Sequence, residues 1–329
     1  FRIATLTFRI AILTFRIGRE GASWVETVSV SMNGAISNSE LKLCEEMSAH
    51  TSWRVGGPAD IFLRPDNIEN LQHFLMELPL ETPLVWVGLG SNLLVRDGGI
   101  RGAVICTGGL KREIERMDAV RVRVSAGLPC ALLARQCVRW RLGPAAFFAG
   151  IPGTIGGALA MNAGAFGGET WDQIESVETV DRGGGRHKRL PSDFDLSYRT
   201  VHGASSEWFL SAVFCFGHDD ETSMSDIRGI TKFRAETQPI GQLSCGSVFK
   251  NPPNGFAAQL IEEAGLKMRC VGGAVVSERH ANFIINTGTA TAADIETLIL
   301  QVREAVKDFH DVTLEMEVHV VGEYEVSGR

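Results

Sequence analysis

The segment Gly246–Pro252 carries side chains that could do acid–base chemistry. Ser247, Lys250 and Asn251 place a hydroxyl, an ammonium and a carboxamide within five positions. A regular strand would put Ser247 and Lys250 on opposite faces, so the spacing alone does not make them converge. From these residues alone, a structural turn between the glycine and the proline is the favoured interpretation.

A second segment, Leu314–Val320, alternates apolar and polar residues. One face is apolar, and the other carries Glu315, Glu317 and His319. An exposed polar face is the usual meaning of such a pattern. A carboxylate held in a pocket would instead have a shifted pKa and could stabilise charge or relay a proton.

The residues from Gly143 to Gly168 form a stretch of 26 residues without Lys, Arg, Asp or Glu, and eight of them are glycine. A lipid-facing helix would be rich in Leu, Ile, Val and Phe, so this composition argues against a membrane span. Glycine lets the backbone approach a ligand closely and adopt positive φ, and clustered N–H groups bind anionic oxygens. The stretch therefore predicts a cofactor cradle.

A second glycine loop, Gly88–Asn92, follows the apolar strand predicted at 84–87 and precedes another predicted at 103–106. A dinucleotide-binding Rossmann fingerprint would need glycine at position 93 and a helix directly after it. Leu93 and the turn that follows disfavour that fold. A tight turn and a phosphate loop remain about equally good interpretations of this loop.

The remaining pattern alternates strands and helices and indicates an α+β fold. Strands are expected at 120–125, 176–180, 186–190 and 208–216, with an extended segment at 245–249. Helices are expected at 128–141, 221–234 and 255–264. A strongly amphipathic helix has an apolar stripe from Ile295 to Phe309, which is expected to be core and not a binding face. The basic residues 186–189 are assigned to a solvated hairpin arm without a functional role.

Composition restricts the function classes. The chain has 329 residues and a net charge of −7, which disfavours a general nucleic-acid binder. Its seven cysteines form no C-x-x-C pair and its histidines are scattered, so we expect free thiols in a reducing cytoplasm and no metal. A seven-residue repeat, Phe-Arg-Ile at positions 1, 8 and 15, suggests that residues 1–31 are either a transit-like or added segment or an upstream translation artefact before Met32.

Taken together, the motifs closely resemble the UDP-N-acetylenolpyruvoylglucosamine reductase family. The matching motifs occur in unbroken order over about residues 44–322. Their combination is far more specific than any single motif. The motifs are His50–Asp60, Gly88–Leu94, Gly150–Gly164, Ser197–Arg199, Gly246–Pro252 and Leu314–Val320.

The resemblance implies a two-subdomain FAD-binding module of the vanillyl-alcohol oxidase type, followed by a smaller α+β substrate domain. It divides the chain into an extension over 1–43, FAD-binding subdomains over 44–107 and 108–217, and a substrate-binding domain over 218–324. Non-covalently bound FAD would be held mainly by backbone donors. The cofactor-binding residues implied are Gly88, Leu89, Gly90, Ser91, Asn92, Leu93, Gly150, Ile151, Pro152, Gly153, Gly156, Gly157, Asn162 and Gly164.

The resemblance also implies a reaction. NADPH would reduce the flavin, and UDP-N-acetylglucosamine enolpyruvate would then accept hydride at C3 and a proton at C2, a step of peptidoglycan precursor synthesis and so of cell-wall formation. Arg199 would polarise the substrate carboxylate, Glu317 would complete the electrostatic site, and Ser247 would donate the proton. Tyr198, Lys250 and Asn251 are implied contacts of the nucleotide sugar.

The chain departs from family members that cover the substrate with a tyrosine on an inserted loop. The segment between Arg199 and Ser247 is short, and the two tyrosines of the chain are Tyr198 and Tyr324. We therefore expect the loop-less (type II) subclass.

Two other functions remain as alternatives: an FAD-dependent oxidoreductase of the same superfamily with another substrate, and a non-catalytic nucleotide-binding paralogue. The first would carry a different substrate domain, and the second would have lost Arg199, Ser247 or Glu317. We expect a cytoplasmic enzyme with a small nucleotide-sugar substrate, without membrane insertion, and with no obligatory protein partner evident.

Overall fold

A computed structural model describes residues 39–325 of the chain. The segment 1–31 considered above lies outside the described residues. The first described strand, β1 (Glu40–Glu46), begins inside the extension expected over 1–43 and pairs antiparallel with β2 (Pro58–Arg64). We therefore propose that the first subdomain begins near residue 39 rather than at 44.

The first subdomain is built on a four-stranded sheet in the order β1-β2-β5-β3. Its strands β2, β5 and β3 run parallel, and helix α1 packs its apolar face against them. The further elements are a 3₁₀ turn (Met47–His50), α1 (Ile68–Glu77), β3 (Leu84–Val87), β4 (Leu93–Val95), β5 (Ile100–Cys106) and a 3₁₀ turn (Thr107–Gly109).

The second subdomain contains a five-stranded antiparallel sheet in the order β12-β11-β15-β7-β6. Two helices, α2 and α3, pack on one side of it around buried Phe148 and Phe214. Its strands are β6 (Ile114–Arg116), β7 (Arg121–Ser125), β8 (Leu142–Gly143), β9 (Gly164–Ala165), β10 (Gly168–Glu169), β11 (Ile174–Asp181), β12 (Arg186–Arg189), β13 (Phe194–Ser197), β14 (Thr200–Gly203), β15 (Glu207–Cys215) and β16 (Gly217–His218). The helices are α2 (Cys130–Arg139) and α3 (Ile155–Met161), with 3₁₀ turns at Ala146–Gly150, Thr170–Gln173 and Pro191–Asp193.

The basic residues 186–189 form strand β12 of a hairpin with β11, as predicted. Neighbouring carboxylates contact three of them: Arg186 pairs with Glu178, Arg189 pairs with Glu207, and the His187 ring lies 2.6 Å from Asp181. The described structure therefore gives this cluster a structural explanation.

Helix α4 (Met224–Thr237) follows the position at which we expected the substrate domain to begin, residue 218. Its buried Ile227, however, belongs to the core of the second subdomain, together with residues of α2. The apolar side of α4 thus packs against the second FAD-binding subdomain. We propose that the third domain begins after Thr237.

The third domain packs a long helix against a small antiparallel sheet in the order β17-β18-β19. Its elements are α5 (Ala257–Glu263), β17 (Cys270–Val271), β18 (Ala274–Val276), β19 (Ile284–Asn286), α6 (Ala292–His310) and β20 (His319–Val321). The apolar stripe of α6 is buried from Ile295 to Val306, but Phe309 is 66% exposed, so its predicted place in the core is wrong. Phe309 lies in the last turn of α6, beyond the sheet that covers the rest of the stripe. None of the helices in the described range 39–325 is long and apolar enough to span a membrane.

Two of the motif segments join the third domain to the first subdomain. Trp53 is fully buried in the third domain's core, where its Nε1 donates to the Ile284 carbonyl at 2.7 Å and its own carbonyl accepts from Asn286. Strand β20 continues this contact by pairing parallel with β4. The third domain is therefore held in a defined position relative to the first glycine loop.

A charged contact at the end of β4 also fixes this position. Arg96 makes two hydrogen bonds to Glu296 of α6, at 2.8 and 2.9 Å, and the Tyr324 ring lies over its guanidinium. Asp97 accepts hydrogen bonds from the first two amides of α6. A carboxylate at a helix N-terminus is stabilising because the amides there lack partners within the helix.

We expect the Arg96–Glu296 contact to stabilise the protein measurably. Replacing Glu296 by Gln should lower the free energy of unfolding by about 1–3 kcal/mol, because a paired and half-buried charged donor loses its partner. Denaturant titration measures this change. The exposed pair Lys232–Glu236 supplies the control, since Glu236→Gln should change stability by less than about 0.5 kcal/mol. Equal effects of both substitutions would contradict a structural role for the Arg96 contact.

Candidate active site

The loop Gly88–Asn92 provides backbone donors that have no acceptor in the part of the chain that the structure describes. The amides of Leu89, Gly90, Ser91 and Asn92 donate to no backbone or side-chain acceptor there. Gly90 has a φ of +62° and lies where a Cβ would be 2.0 Å from the His50 carbonyl oxygen, so the turn requires glycine. Consecutive free amides of this kind form an anion-binding nest.

A second loop, 152–154, lies against the first. The Ser91 hydroxyl is 3.4 Å from the Pro152 carbonyl oxygen, and a Cβ on Gly88 would lie 2.5 Å from Oγ1 of Thr154. Gly153 has a φ of +118°, and its amide and that of Thr154 also lack acceptors among the described residues. The two loops together fit a group with several anionic oxygens, as the pyrophosphate of FAD has.

Not every backbone donor expected in this segment is available. The Ile151 amide donates to the Phe148 carbonyl at 3.2 Å, and the Gly156 amide donates to the Ala126 carbonyl at 2.8 Å. Neither amide is therefore free in the described structure, because Ile151 closes the 3₁₀ turn Ala146–Gly150 and Gly156 ties the start of α3 to Ala126; a cofactor contact of either residue stays a prediction. The Gly157 amide bonds the Thr154 hydroxyl, which caps that helix. Leu93 begins β4 and its side chain is buried.

Asn162 and Gly164 lie at the other end of α3 and contact Arg199. The Asn162 side chain is buried and bonds Glu169, Ser197 and Trp171, so its polar atoms have partners within the protein. The Gly164 carbonyl accepts from Nη2 of Arg199 at 2.7 Å. Both residues thus position Arg199, and a direct contact of either with the cofactor stays a prediction, as it does for Gly150.

Arg199 is held in an uncommon backbone conformation in the turn between β13 and β14. Its φ is +54°, in a region that residues other than glycine seldom adopt. Its Nε lies 3.2 Å from Oε1 of Glu317, although this N–H is buried and makes no directed hydrogen bond in the described structure. Unpartnered buried donors are rare in native structures, which makes this one a candidate for a functional role.

Glu317 is the carboxylate that lies beside Arg199 in this site. Its amide donates to the Val248 carbonyl at 2.8 Å, and its carbonyl accepts from the Asn92 side chain at 3.0 Å. Its side chain is 19% exposed. Burial raises the pKa of the Glu317 carboxyl above its ordinary value, and the charges of Arg199 and Lys250 offset part of that increase.

Ser247 precedes Val248, the residue whose carbonyl holds Glu317 in place. The serine is half-buried, and its hydroxyl has no hydrogen-bond partner among the described residues. Residues 245–249 do not form the extended strand that we expected. Val248 and Phe249 are both buried, and in the described structure only an isolated bridge joins Phe249 to Met316.

Lys250 shares the site with Glu317. Its ammonium lies 2.6 Å from Glu315 and 3.1 Å from the Thr200 hydroxyl. Glu315 is 72% exposed, in contrast to Glu317. The charge of Lys250 also acts on Glu317, where it offsets part of the pKa increase caused by burial. Asn251, by comparison, is exposed and accepts a hydrogen bond from the first amide of α5.

Tyr198 is 45% exposed and its ring lies 5.2 Å from the Arg199 guanidinium carbon.

Three positioning residues could not be identified from the sequence: Asn92, Asn162 and Thr200. Asn92 and Asn162 lie inside predicted motifs, but nothing in the sequence distinguishes a residue that binds a ligand from one that orients another side chain.

The fold and this site define a flavin-dependent oxidoreductase: a two-subdomain FAD-binding module whose cradle meets a buried Arg–Glu pair from another part of the chain. Residues 59–190 match the FAD binding domain family, and residues 238–321 match the family described as UDP-N-acetylenolpyruvoylglucosamine reductase, C-terminal domain. The chain belongs to the UDP-N-acetylenolpyruvoylglucosamine reductase family.

Curated relatives and a solved structure agree with this assignment. The chain is 56% identical to the UDP-N-acetylenolpyruvoylglucosamine reductase of Alkalilimnicola ehrlichii, over 86% of this chain and 95% of that one. It is 53% identical to the protein of the same name from Methylococcus capsulatus, over 85% and 92% of the two chains. The crystal structure of the Thermus caldophilus reductase is 33% identical, with a TM-score of 0.72, over 86% and 98% of the chains. The predicted fold class, enzyme class and family are confirmed.

Proposed function

We propose that this protein reduces UDP-N-acetylglucosamine enolpyruvate to UDP-N-acetylmuramate with electrons from NADPH, through bound FAD. The observation that carries the proposal is the contact between Nε of Arg199 and Oε1 of Glu317, 3.2 Å apart, together with the bond from the Glu317 amide to the carbonyl of Val248, the residue after Ser247. Arg199 comes from the second subdomain, whereas Ser247 and Glu317 come from the third domain. The Asn92 side chain of the first cradle loop bonds the Glu317 carbonyl. Arg199, Ser247 and Glu317 are the groups that hydride addition to an enol ether needs.

The free amides of Leu89–Asn92 and of Gly153 and Thr154 would hold the FAD pyrophosphate. Backbone donors bind such an anion without a basic surface, which agrees with a net charge of −7. When bound, FAD supplies the hydride that reaches the vinyl carbon of the substrate.

Arg199 and Glu317 would act on the charge that develops during this addition. Hydride addition at C3 places negative charge on C2 and on the neighbouring carboxylate, so a fixed guanidinium beside that carboxylate stabilises the enolate-like intermediate. Two carbonyls, those of Gly164 and Asn162, hold the guanidinium beside Glu317. Glu317 in turn keeps the guanidinium in position.

Ser247 would deliver the proton to C2. A serine hydroxyl is a weak acid at neutral pH, so it can act only on a strongly basic carbanion that lies close by. The absence of a partner for this hydroxyl among the described residues supports that role, because an engaged hydroxyl would have to break a bond first. Lys250 would bind an anionic part of the nucleotide sugar, with Tyr198 and Asn251 as weaker candidates.

Replacing Glu317 by Gln should cost far more activity than replacing Glu315 by Gln. Glu317 is buried against Arg199, whereas Glu315 is mostly exposed and bonds only the Lys250 ammonium. We expect the value of kcat/KM to fall on the order of 10²–10³-fold for Glu317→Gln and less than about tenfold for Glu315→Gln. Equal losses would mean that the two carboxylates act together or that the wrong one has been assigned.

The raised pKa of Glu317 also predicts the pH dependence of the reaction. The Glu317 carboxylate is mostly ionised only above its raised pKa. As the pH is lowered, activity that needs its negative charge is therefore lost at a higher pH than it would be with a glutamate of ordinary pKa. A profile of kcat/KM against pH should show this acidic limb in the parent protein and lose it in Glu317→Gln. An unchanged limb in the variant would assign it to another group.

Steady-state assays with UDP-N-acetylglucosamine enolpyruvate and either NADPH or NADH test the proposed function as a whole. Turnover with NADPH, and less with NADH, is the expected result. Binding of FAD without any turnover would favour an oxidoreductase with another substrate.

The loop-less subclass belongs to the same proposal: Tyr198 and Tyr324, the only tyrosines, are not on an inserted loop over the substrate.

A further inference from the structure

His319 is a histidine of the catalytic segment to which the proposed reaction gives no role. It lies two residues beyond Glu317, on the same polar face of the segment. Its amide donates to the Asn92 carbonyl at 3.1 Å, and its ring nitrogen Nε2 lies 2.8 Å from Sδ of Met161. Asn92 ends the first cradle loop and Met161 is the last residue of α3. His319 therefore contacts the first cradle loop through its backbone and the C-terminal end of α3 through its ring.

The contact with Met161 determines which ring nitrogen is available to a ligand. A thioether has no hydrogen to donate, so Nε2 must carry the proton in this contact. In the neutral ring, Nδ1 then has a free lone pair, and it has no partner among the described residues. By surface area the residue is exposed.

The charges around the ring keep it neutral in the absence of a ligand. The pKa of His319 is lowered first by burial of the ring among its neighbours and then by the positive charge of Lys250. The cradle loop 88–92 and helix α3 contribute no titratable side chain. The remaining charged groups of the site are Glu315, paired with Lys250, and Glu317, paired with Arg199.

We propose that His319 is a third element of the cofactor site, and that FAD binding is coupled to uptake of a proton on its Nδ1. This inference rests on the proposed function, because it takes FAD as the occupant of the cradle. An anionic pyrophosphate held by the loop amides opposes the effect of Lys250 on the ring and favours the imidazolium. The protonated Nδ1 then donates to an anionic oxygen instead of offering a lone pair.

The proposal predicts that FAD binds more tightly at lower pH. The charge of the pyrophosphate does not change near neutral pH, so only a protein group can supply the dependence. Titration of apoprotein with FAD, followed by quenching of flavin fluorescence, should give a dissociation constant that rises roughly 3- to 10-fold from about pH 6 to about pH 8. Calorimetry in buffers of different ionisation enthalpy should show proton uptake on binding.

The variant His319→Gln keeps a donor for Met161 but does not titrate. Its dissociation constant for FAD should vary by less than about twofold over the same range, and proton uptake should disappear. The control His73→Gln, on the exposed side of α1, should behave as the parent does. A purely structural role of His319 would shift the dissociation constant equally at every pH.

The outcomes separate this inference from the proposed function. If FAD binds but its affinity does not depend on pH, or depends on it equally in His319→Gln, the role of His319 is wrong and the enzyme assignment stands. If FAD fails to bind the parent protein at any pH, both are overturned.

Discussion

Replacing Ser247 by Ala should leave reduction of bound FAD by NADPH near the parent rate and slow its reoxidation by the enolpyruvyl substrate on the order of 10²–10⁴-fold. The reason is that the hydroxyl donates a proton only in the second half-reaction. Because this hydroxyl bonds no other described group, its removal should not disturb the fold. Anaerobic stopped-flow absorbance follows both half-reactions separately.

A neighbouring serine provides the control for this experiment. Ser244 lies three residues before Ser247 in the same irregular segment, so Ser244→Ala tests whether any loss of a hydroxyl there has the same effect. It should leave both half-reactions within about twofold of the parent. Slow flavin reduction with normal reoxidation in Ser247→Ala would reverse the assignment of the proton donor.

Replacing Gly153 by Val should weaken FAD binding about 10- to 100-fold. A φ of +118° is unfavourable for a β-branched residue by about 1–3 kcal/mol, and tenfold in affinity corresponds to about 1.4 kcal/mol. The added side chain would also crowd Ser91, whose Oγ lies 2.9 Å from the Cβ position. The dissociation constant of FAD, measured on the apoprotein, gives the result.

The matched control is Gly229→Val on α4, where a Cβ meets nothing within 4 Å. This variant should keep the FAD affinity of the parent, even though valine is a poorer helix former than alanine. Circular dichroism should show the folded state in both variants. Parent-like FAD affinity in Gly153→Val would remove this glycine from the cofactor site.

Part of the cradle could be predicted from local sequence and part could not. Uncharged glycine-rich segments indicate where backbone approaches a ligand, and positive φ at Gly90 and Gly153 agrees with that interpretation. The amides of Ile151 and Gly156 are engaged within the protein, because Gly156 bonds Ala126, a residue distant in sequence, and Ile151 closes a local turn. Whether an amide is free depends on tertiary partners that spacing does not reveal.

The catalytic side chains show the same limit. Strand alternation correctly grouped Glu315, Glu317 and His319, but it could not distinguish exposed Glu315 from buried Glu317. That difference arises because Arg199, from the turn of another hairpin, covers only one of them. The helix at 224–237 was likewise predictable from its pattern, whereas its packing on the second subdomain was not.

The most direct test of the central claim is isotopic labelling of the product. The parent protein, loaded with FAD, is supplied with UDP-N-acetylglucosamine enolpyruvate and NADPH deuterated at the transferred position, and separately with unlabelled NADPH in deuterated water. The proposed chemistry predicts deuterium at C3 in the first case, reduced by any exchange from the reduced flavin, and deuterium at C2 in the second. Oxidation of NADPH without formation of the lactyl ether, or solvent deuterium that never appears at C2, would contradict it.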